Sequence, residues 1–255
     1  MKDQGTKVSV VIPTHDRNDF LERAVRSASA QVLRPVEIVV VDDLAMSGTR
    51  ALCESLEAEL GVSVRYATNT PDGGGAPGSR NLGATLASGD LLAFLDDDDY
   101  WNPNYLRDAV SELTTQGSQM NLAGLMEAWG DDDTRPGEIP PAEYDQNLLF
   151  FYNPGVLCSN VLIDRKTFDA IGGYDVSVKG SCDKALLIQL HMNGFTHSVV
   201  KDRLVYWSRH DDQWSVDQSR VRPSVLALYK KYWRSMGFVT HARMIRKLIR
   251  LYVGV

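Results

Sequence analysis

Residues 91–101, LLAFLDDDDYW, limit what this chain can fold into more than any other stretch. Five apolar residues run unbroken over 91–95, behind a Ser-Gly pair, and end on four consecutive carboxylates, Asp96, Asp97, Asp98 and Asp99. An apolar run of that length marks a strand buried on both faces. The acids then stand at the carboxyl end of a buried strand, where open α/β sheets place their ligands. Adjacent carboxylates repel one another, and a hard divalent cation with a bound phosphate removes that cost. A solvated acidic turn is the alternative, and it would be preferred for four acids between two helices. Directly behind a buried strand the tetrad reads as a site for Mn²⁺ or Mg²⁺.

The chain ahead of the tetrad supplies the sheet. Residues 7–12 (KVSVVI) are β-branched and apolar and are closed by Pro13, which makes them the first strand. A polar loop over 14–18 leads into a helix over 19–31, with Asn18 as its N-cap. Residues 36–41 (VEIVVV) form a second buried strand that ends on Asp42 and Asp43. A helix over 49–60, stopped by Gly61, and a strand over 62–67 follow. Alternating strands and helices imply a parallel, doubly wound sheet with right-handed crossovers. Two strands thus end in acids on the same sheet edge.

Between those edges lies TPDGGGAPGSRNLGATLASGD. It lacks the Gly-Lys-Ser/Thr of a P-loop and the glycine spacing of a dinucleotide fingerprint. A short helix over 79–87 carries Arg80 near its start, where a guanidinium can contact a base or a pyrophosphate, or hold the loop to the acidic edge. Further on, the pattern gives a helix over 103–116 and strands over 120–129, 155–163, 195–200 and 203–207. A short helix over 165–171 lies among them, and one over 182–192 has Asp183 in its first turn, a position the helix dipole favours on structural grounds alone. Asp131, Asp132 and Asp133 have no buried strand feeding a turn and read as solvated. Helices over 223–233 and 240–253 close the chain.

At 255 residues the length suits one large α/β domain or two small ones, and no linker divides it. The division expected is one domain over 1–217, with halves over about 1–103 and about 104–217, then a basic helical extension over 218–255. Three scattered cysteines make neither a disulfide framework nor a zinc site. With no apolar signal segment or membrane span, the expected location is cytoplasmic. The net charge is −6, yet nine Lys and Arg and no acid follow Asp217, so the first 217 residues carry −15. That acidity excludes a nucleic-acid partner, while the basic tail asks for an anionic one.

Four blocks in order resemble inverting family-2 glycosyltransferases of the GT-A fold: KVSVVIPTHDRNDFLERAVRSASAQ, VEIVVVDDLA, SRNLGATLASGDLLAFLDDDDYWNP and IGGYD. The resemblance implies a Rossmann-like α/β fold with a central mixed, mostly parallel sheet and C-terminal helices. It implies a nucleotide-diphosphate sugar donor, UDP-sugar favoured, a sugar or lipid-linked sugar acceptor, and Mn²⁺ or Mg²⁺. It also implies direct displacement at the anomeric carbon. Carried over residue by residue, Pro13, Thr14 and His15 line the base pocket, Asp43 takes an N–H of the base with Asp42 beside it, and Arg80 reaches base or phosphates. Asp96 stands by the ribose and Asp98 on the metal, Asp99 touches the sugar, and Asp97 fills the variable position. Asp183 is the base, with Cys182 where Glu is common, and His210 is a second metal ligand or a plain loop residue. His15 stands where Tyr or Phe is common.

The tail interleaves apolar and basic residues. It is read as a helix lying on anionic lipid, at the inner face of the membrane, or as one packed on the body, with dimerisation. A non-catalytic or hydrolytic sugar-nucleotide binder is the rival of a different class. A sugar nucleotidyltransferase is disfavoured, because PTHDRND is not a Gly-rich basic loop after the first strand. No QxxRW-type sequence is present, which favours single-sugar transfer over processive synthesis.

Overall fold

The computed structural model describes residues 5–70, 72–130, 132–144, 146–210, 213 and 217–253. Strands β1 (Val8–Thr14), β2 (Glu37–Asp42), β3 (Val64–Thr68) and β4 (Leu91–Phe94) pair in parallel, in the order β3-β2-β1-β4. Helices α1 (Asn18–Ser29), α2 (Ser47–Leu60) and α3 (Gly75–Leu86) are the crossovers. All residues of β1, β2 and β4 are buried, which is why these strands are predominantly apolar rather than alternating, with the buried Ser9 and Glu37 hydrogen-bonded to each other at 2.8 Å.

Beyond β4 the sheet becomes mixed. Strand β8 (Val161–Asp164) lies antiparallel between β4 and β6 (Met120–Ala128). Strand β9 (His197–Ser208) runs parallel to β6, and the short β5 (Tyr100–Trp101) pairs antiparallel with β9. A three-residue β7 (Thr134–Pro136) pairs with β6 off the main path. The expected mixed, mostly parallel sheet is the one observed.

The period of two divides the core between the faces of the sheet. Val8, Val10, Ile12, Leu91 and Ala93 pack with Leu21, Val25 and Leu56 of α1 and α2, and with Leu106 of α4 (Tyr105–Gln116). Val11, Leu92 and Phe94 face the other way, onto Phe168 of α6 (Arg165–Ala170) and Leu186 of α7 (Cys182–Met192). Helix α5 (Gln146–Phe151) and the terminal helices α8 (Gln218–Tyr232) and α9 (Phe238–Val253) belong to that second layer through Phe150, Leu228, Tyr232 and Met244. Among the described residues no helix is long and apolar enough to cross a membrane.

Several boundaries differ from the sequence pattern for local reasons. Of residues 155–163 only the last three pair in β8, and Cys158–Asn160 is a 3₁₀ turn. There the Asn160 side chain accepts from Leu157 N and donates to the carbonyls of Ala123 and Gly155, so amide side chains replace the ladder. The two strands over 195–207 are one, β9, with a register shift at Gly124, where a Cβ would sit 2.9 Å from Asp202 O. Helix α3 begins inside the glycine loop, and a Cβ on Gly78 would overlap the carbonyl oxygen of Gly73. Arg17, not Asn18, is the N-cap of α1, and the Asn18 Oδ1 instead accepts from Thr49 Oγ1 at 3.0 Å.

Candidate active site

The four acids follow β4 and divide by partner. Asp97 and Asp99 turn inward and are buried. Asp97 accepts from Thr14 Oγ1 at 2.8 Å and from Arg17 Nη2 at 2.5 Å and Nε at 3.3 Å. Asp99 accepts from Ser159 Oγ at 2.5 Å and from Ser208 N at 2.9 Å. Burial pushes the Asp97 carboxyl up to about 6, and burial together with the charges of Asp98 and Asp96 raises Asp99 well above the ordinary range. Asp96 and Asp98 are less deeply set. Asp96 takes the Arg80 guanidinium, and its backbone N–H donates to Ser159 Oγ at 3.0 Å. Asp98 Oδ2 meets Arg17 Nη1 at 2.8 Å and His210 Nε2 at 3.1 Å. Burial would raise Asp98, but the His210 bond and the Arg17 charge outweigh it and hold it below the usual carboxylate range.

Asp97, expected only to fill the variable position of the motif, is a buried anchor of the turn, and Asp99, expected to touch the sugar, is tied to the protein on both oxygens. They anchor the turn to β1, to the loop before β8 and to the end of β9. Arg17, which the sequence pattern left inside a polar loop, bridges Asp97 and Asp98. An arginine at the end of the strand beside an acid tetrad is the signal that could have singled it out.

On the neighbouring strand, Asp42 is buried and accepts from Leu44 N at 2.9 Å, Met46 N at 2.8 Å and Tyr66 OH at 3.0 Å. It closes the turn into α2. Asp43 is left facing open space, with His15 Nδ1 2.5 Å from its Oδ1. Arg80 is buried on α3, between Asp96, the ring of Tyr174 and the Cys182 thiol at 3.7 Å.

The opposite wall comes from the second half of the chain. Asp183, in the first turn of α7, accepts from Lys184 N at 2.7 Å and from Asn153 Nδ2 at 3.3 Å. Burial pushes its carboxyl up to about 6. Cys182, in the place of the common Glu, has its Sγ 3.9 Å from that of Cys158. Gly180 N donates to Ser224 Oγ at 2.9 Å, which fastens α8 over this wall. Arg220, one helical turn before Ser224, reaches the same space.

Between the walls lies one cavity of about 590 Å³. Pro13, Thr14, His15, Asp43, Arg80, Asp96, Asp98 and Asp183 all line it. His210 does not; it stacks on Phe20 with ring centroids 5.3 Å apart and meets the cavity lining through Asp98 and through its carbonyl, which accepts from Gln213 N at 3.3 Å. Arg17, Lys179, Trp207, Gln213 and Arg220 line it as well, and the sequence pattern had not marked them. Lys179 and Arg220 are the cations that the second wall adds.

Among the described residues no group of three His, Cys, Asp or Glu is arranged to hold a metal by itself. Asp98 and His210 fit a divalent ion whose remaining positions are filled by diphosphate oxygens and water, since a carboxylate oxygen and an imidazole nitrogen lie 3.1 Å apart. Asp211 and Asp212, next in the chain, lie outside the described residues.

The family model of glycosyl transferase family 2 matches residues 9–172. The chain belongs to that family. A relative from Campylobacter jejuni, GalNAc(5)-diNAcBac-PP-undecaprenol beta-1,3-glucosyltransferase, is 36% identical over 113 residues. That match covers 44% of this chain and 35% of the relative, so the chain spans about a third of that protein's length. Among solved structures, Staphylococcus aureus TarS 1-349 in complex with UDP-GlcNAc superposes with a TM-score of 0.69 at 17% identity, covering 97% of this chain and 73% of that one. The mannosyltransferase PcManGT from Pyrobaculum calidifontis, in complex with GDP-Man and Mn²⁺, gives 0.68 at 16% identity, covering 96% and 70%. At such identities these structures establish the GT-A fold of this family 2 member. The family match ends at residue 172, short of Asp183 and of α8.

Proposed function

We propose that this family 2 member transfers a single sugar from a nucleotide-diphosphate sugar, with UDP-sugar favoured, to an acceptor hydroxyl with inversion at the anomeric carbon. One observation carries the reading: the acid edge behind β4 and the carboxylate of Asp183 line the same cavity from opposite walls. Asp43 is assigned the N–H edge of the base, with Pro13, Thr14 and His15 around it. Arg80 and Asp96, already paired, are assigned the ribose and phosphate side. A divalent ion, Mn²⁺ or Mg²⁺, held by Asp98 with His210 would neutralise the diphosphate and make it a better leaving group.

Asp183 removes the proton of the acceptor hydroxyl. The hydroxyl oxygen bonds to the anomeric carbon as the bond from that carbon to the diphosphate oxygen breaks, so an α-linked donor yields a β-linked product. A base with a carboxyl near 6 is ionised at neutral pH and is more basic than an ordinary aspartate. The C. jejuni relative is named for an acceptor linked to diphosphoundecaprenol, which supports a lipid-linked sugar acceptor here.

The test incubates the full chain with UDP-sugars, Mn²⁺ and lipid-linked acceptors and follows the anomeric proton of the product by NMR. A β-linked product from an α-linked donor supports the reading. A retained α-linkage overturns inversion, and nucleotide binding with neither transfer nor donor hydrolysis favours the non-catalytic binder.

A further inference from the structure

Helix α9 packs one side against α5 and α8 and leaves another side uncovered. Thr240, Met244, Leu248 and Leu251 point inward, and Lys247 Nζ donates to Phe151 O at 2.7 Å. Phe238, Ala242, Ile245, Ile249 and Tyr252 point outward. At 3.6 residues per turn these five fall within an arc of roughly 80°. They are far from covered: Phe238 is 88% exposed, Ile245 48%, Ile249 49% and Tyr252 50%. Arg246, Arg250 and Arg243 follow in the adjacent arc of about 60°. Arg243 lies over the Phe151 ring, whereas Arg246 and Arg250 have no acidic partner among the described residues.

We infer that this outer face of α9 docks on an anionic lipid surface. An apolar stripe bordered by arginines is the pattern of a helix that lies in the plane of a membrane interface, with apolar side chains among the acyl boundary and cations at the headgroups. Charge chooses between occupants. No acid follows Asp217 while nine Lys and Arg do, so a second copy meeting this face through the same face would set cation against cation. An anionic bilayer supplies both the apolar and the negative complement. Burial of the opposite side of α9 fixes the helix to the body, so docking orients the whole domain.

The position of α9 gives the docking a use. Phe150 O accepts from Lys184 Nζ at 3.3 Å, and Phe151 O accepts from Lys247. Through these neighbouring carbonyls of α5, the docked helix is one layer from α7, whose second residue is Asp183. A lipid-linked acceptor would therefore be delivered to the wall that carries the proposed base. This last step rests on the glycosyltransferase reading; the docking itself does not.

The experiment sediments the full chain with vesicles of phosphatidylcholine containing about a third phosphatidylglycerol, and with pure phosphatidylcholine, at low and high salt. The wild-type chain is expected to pellet with the anionic vesicles at low salt and to be released by salt. Both Ile245→Glu/Ile249→Glu and Arg246→Glu/Arg250→Glu are expected to weaken binding by roughly tenfold or more, with unchanged circular dichroism. A wild-type chain that stays in the supernatant overturns the inference, as does binding unaffected by both double variants. So does a dimer in vesicle-free solution that Ile245→Glu/Ile249→Glu splits, since a second copy would then own the face. No arm depends on turnover, so failure here is distinct from failure of the transferase reading.

Discussion

The two walls of the cavity are built differently. On the donor side, each acid of the tetrad has at least one protein partner, and Asp97 and Asp99 have both oxygens engaged. On the acceptor side, Asp183 has the N–H of its own neighbour and one long bond to Asn153. The wall proposed to hold the charged diphosphate is locked by ion pairs to Arg17 and Arg80. The carboxylate proposed as the base is held lightly, and burial, helped by the charge of Asp96, raises it against Lys184 and Arg80. The contrast separates binding from chemistry, and changes to the two walls should separate in the same way.

The largest effect is expected on the acceptor side. Asp183→Asn should lower transfer by about 10³-fold, within the range for loss of a general base, while nucleotide affinity stays within a factor of about two. Single-turnover assays and calorimetry read the two quantities.

Arg17→Ala should act on the donor wall as a stability defect. It leaves Asp97 buried without its cation and should cost about 2 kcal/mol in urea unfolding at pH 8. Asp97 has a carboxyl near 6 even with Arg17 present, and without that cation it rises further. A carboxyl raised further in the variant protonates at a higher pH than in the wild type, so the deficit should shrink as the pH falls toward about 6 and level off below it, where both proteins carry a protonated Asp97. A deficit independent of pH would mean that the Arg17–Asp97 pair is not what was lost.

The pH profile of the wild-type protein comes next. Transfer should fall tenfold per unit below pH about 6 as Asp183 protonates. Asp97 has the same value, so nucleotide affinity must be followed over the same range, and an affinity that falls in step with turnover would move the cause to the donor wall. The smallest effect belongs to Ser159→Ala. It removes one bond to Asp99 and one to the backbone of Asp96, at about 1–2 kcal/mol of stability.

The sequence exposed these walls unequally. β1, β2 and β4 are predominantly apolar because both faces of the sheet are covered, and the acids at the ends of β2 and β4 mark one edge of the sheet. The roles within the tetrad were not legible in the same way. Asp97 and Asp99 owe their burial to Thr14, Arg17, Ser159 and Ser208, which lie up to 109 residues away. No local pattern reports such partners. The acceptor wall was harder still. Its 3₁₀ turn is shaped by asparagine side chains, and Lys179 and Arg220 reach the cavity because Gly180 and Ser224 join two distant elements. Asp183 came from a resemblance, since helix spacing alone allowed a purely structural acid there.

Asp98 and Asp183 are proposed to divide nucleotide binding and proton removal between them in one cavity. Calorimetric titration of a UDP-sugar in the presence of Mn²⁺ into the wild-type, Asp98→Ala and Asp183→Asn proteins tests it most directly. The expected result is wild-type affinity for Asp183→Asn and a loss of roughly 10–100-fold for Asp98→Ala. Unchanged affinity in Asp98→Ala, or a matching loss in Asp183→Asn, would contradict the division.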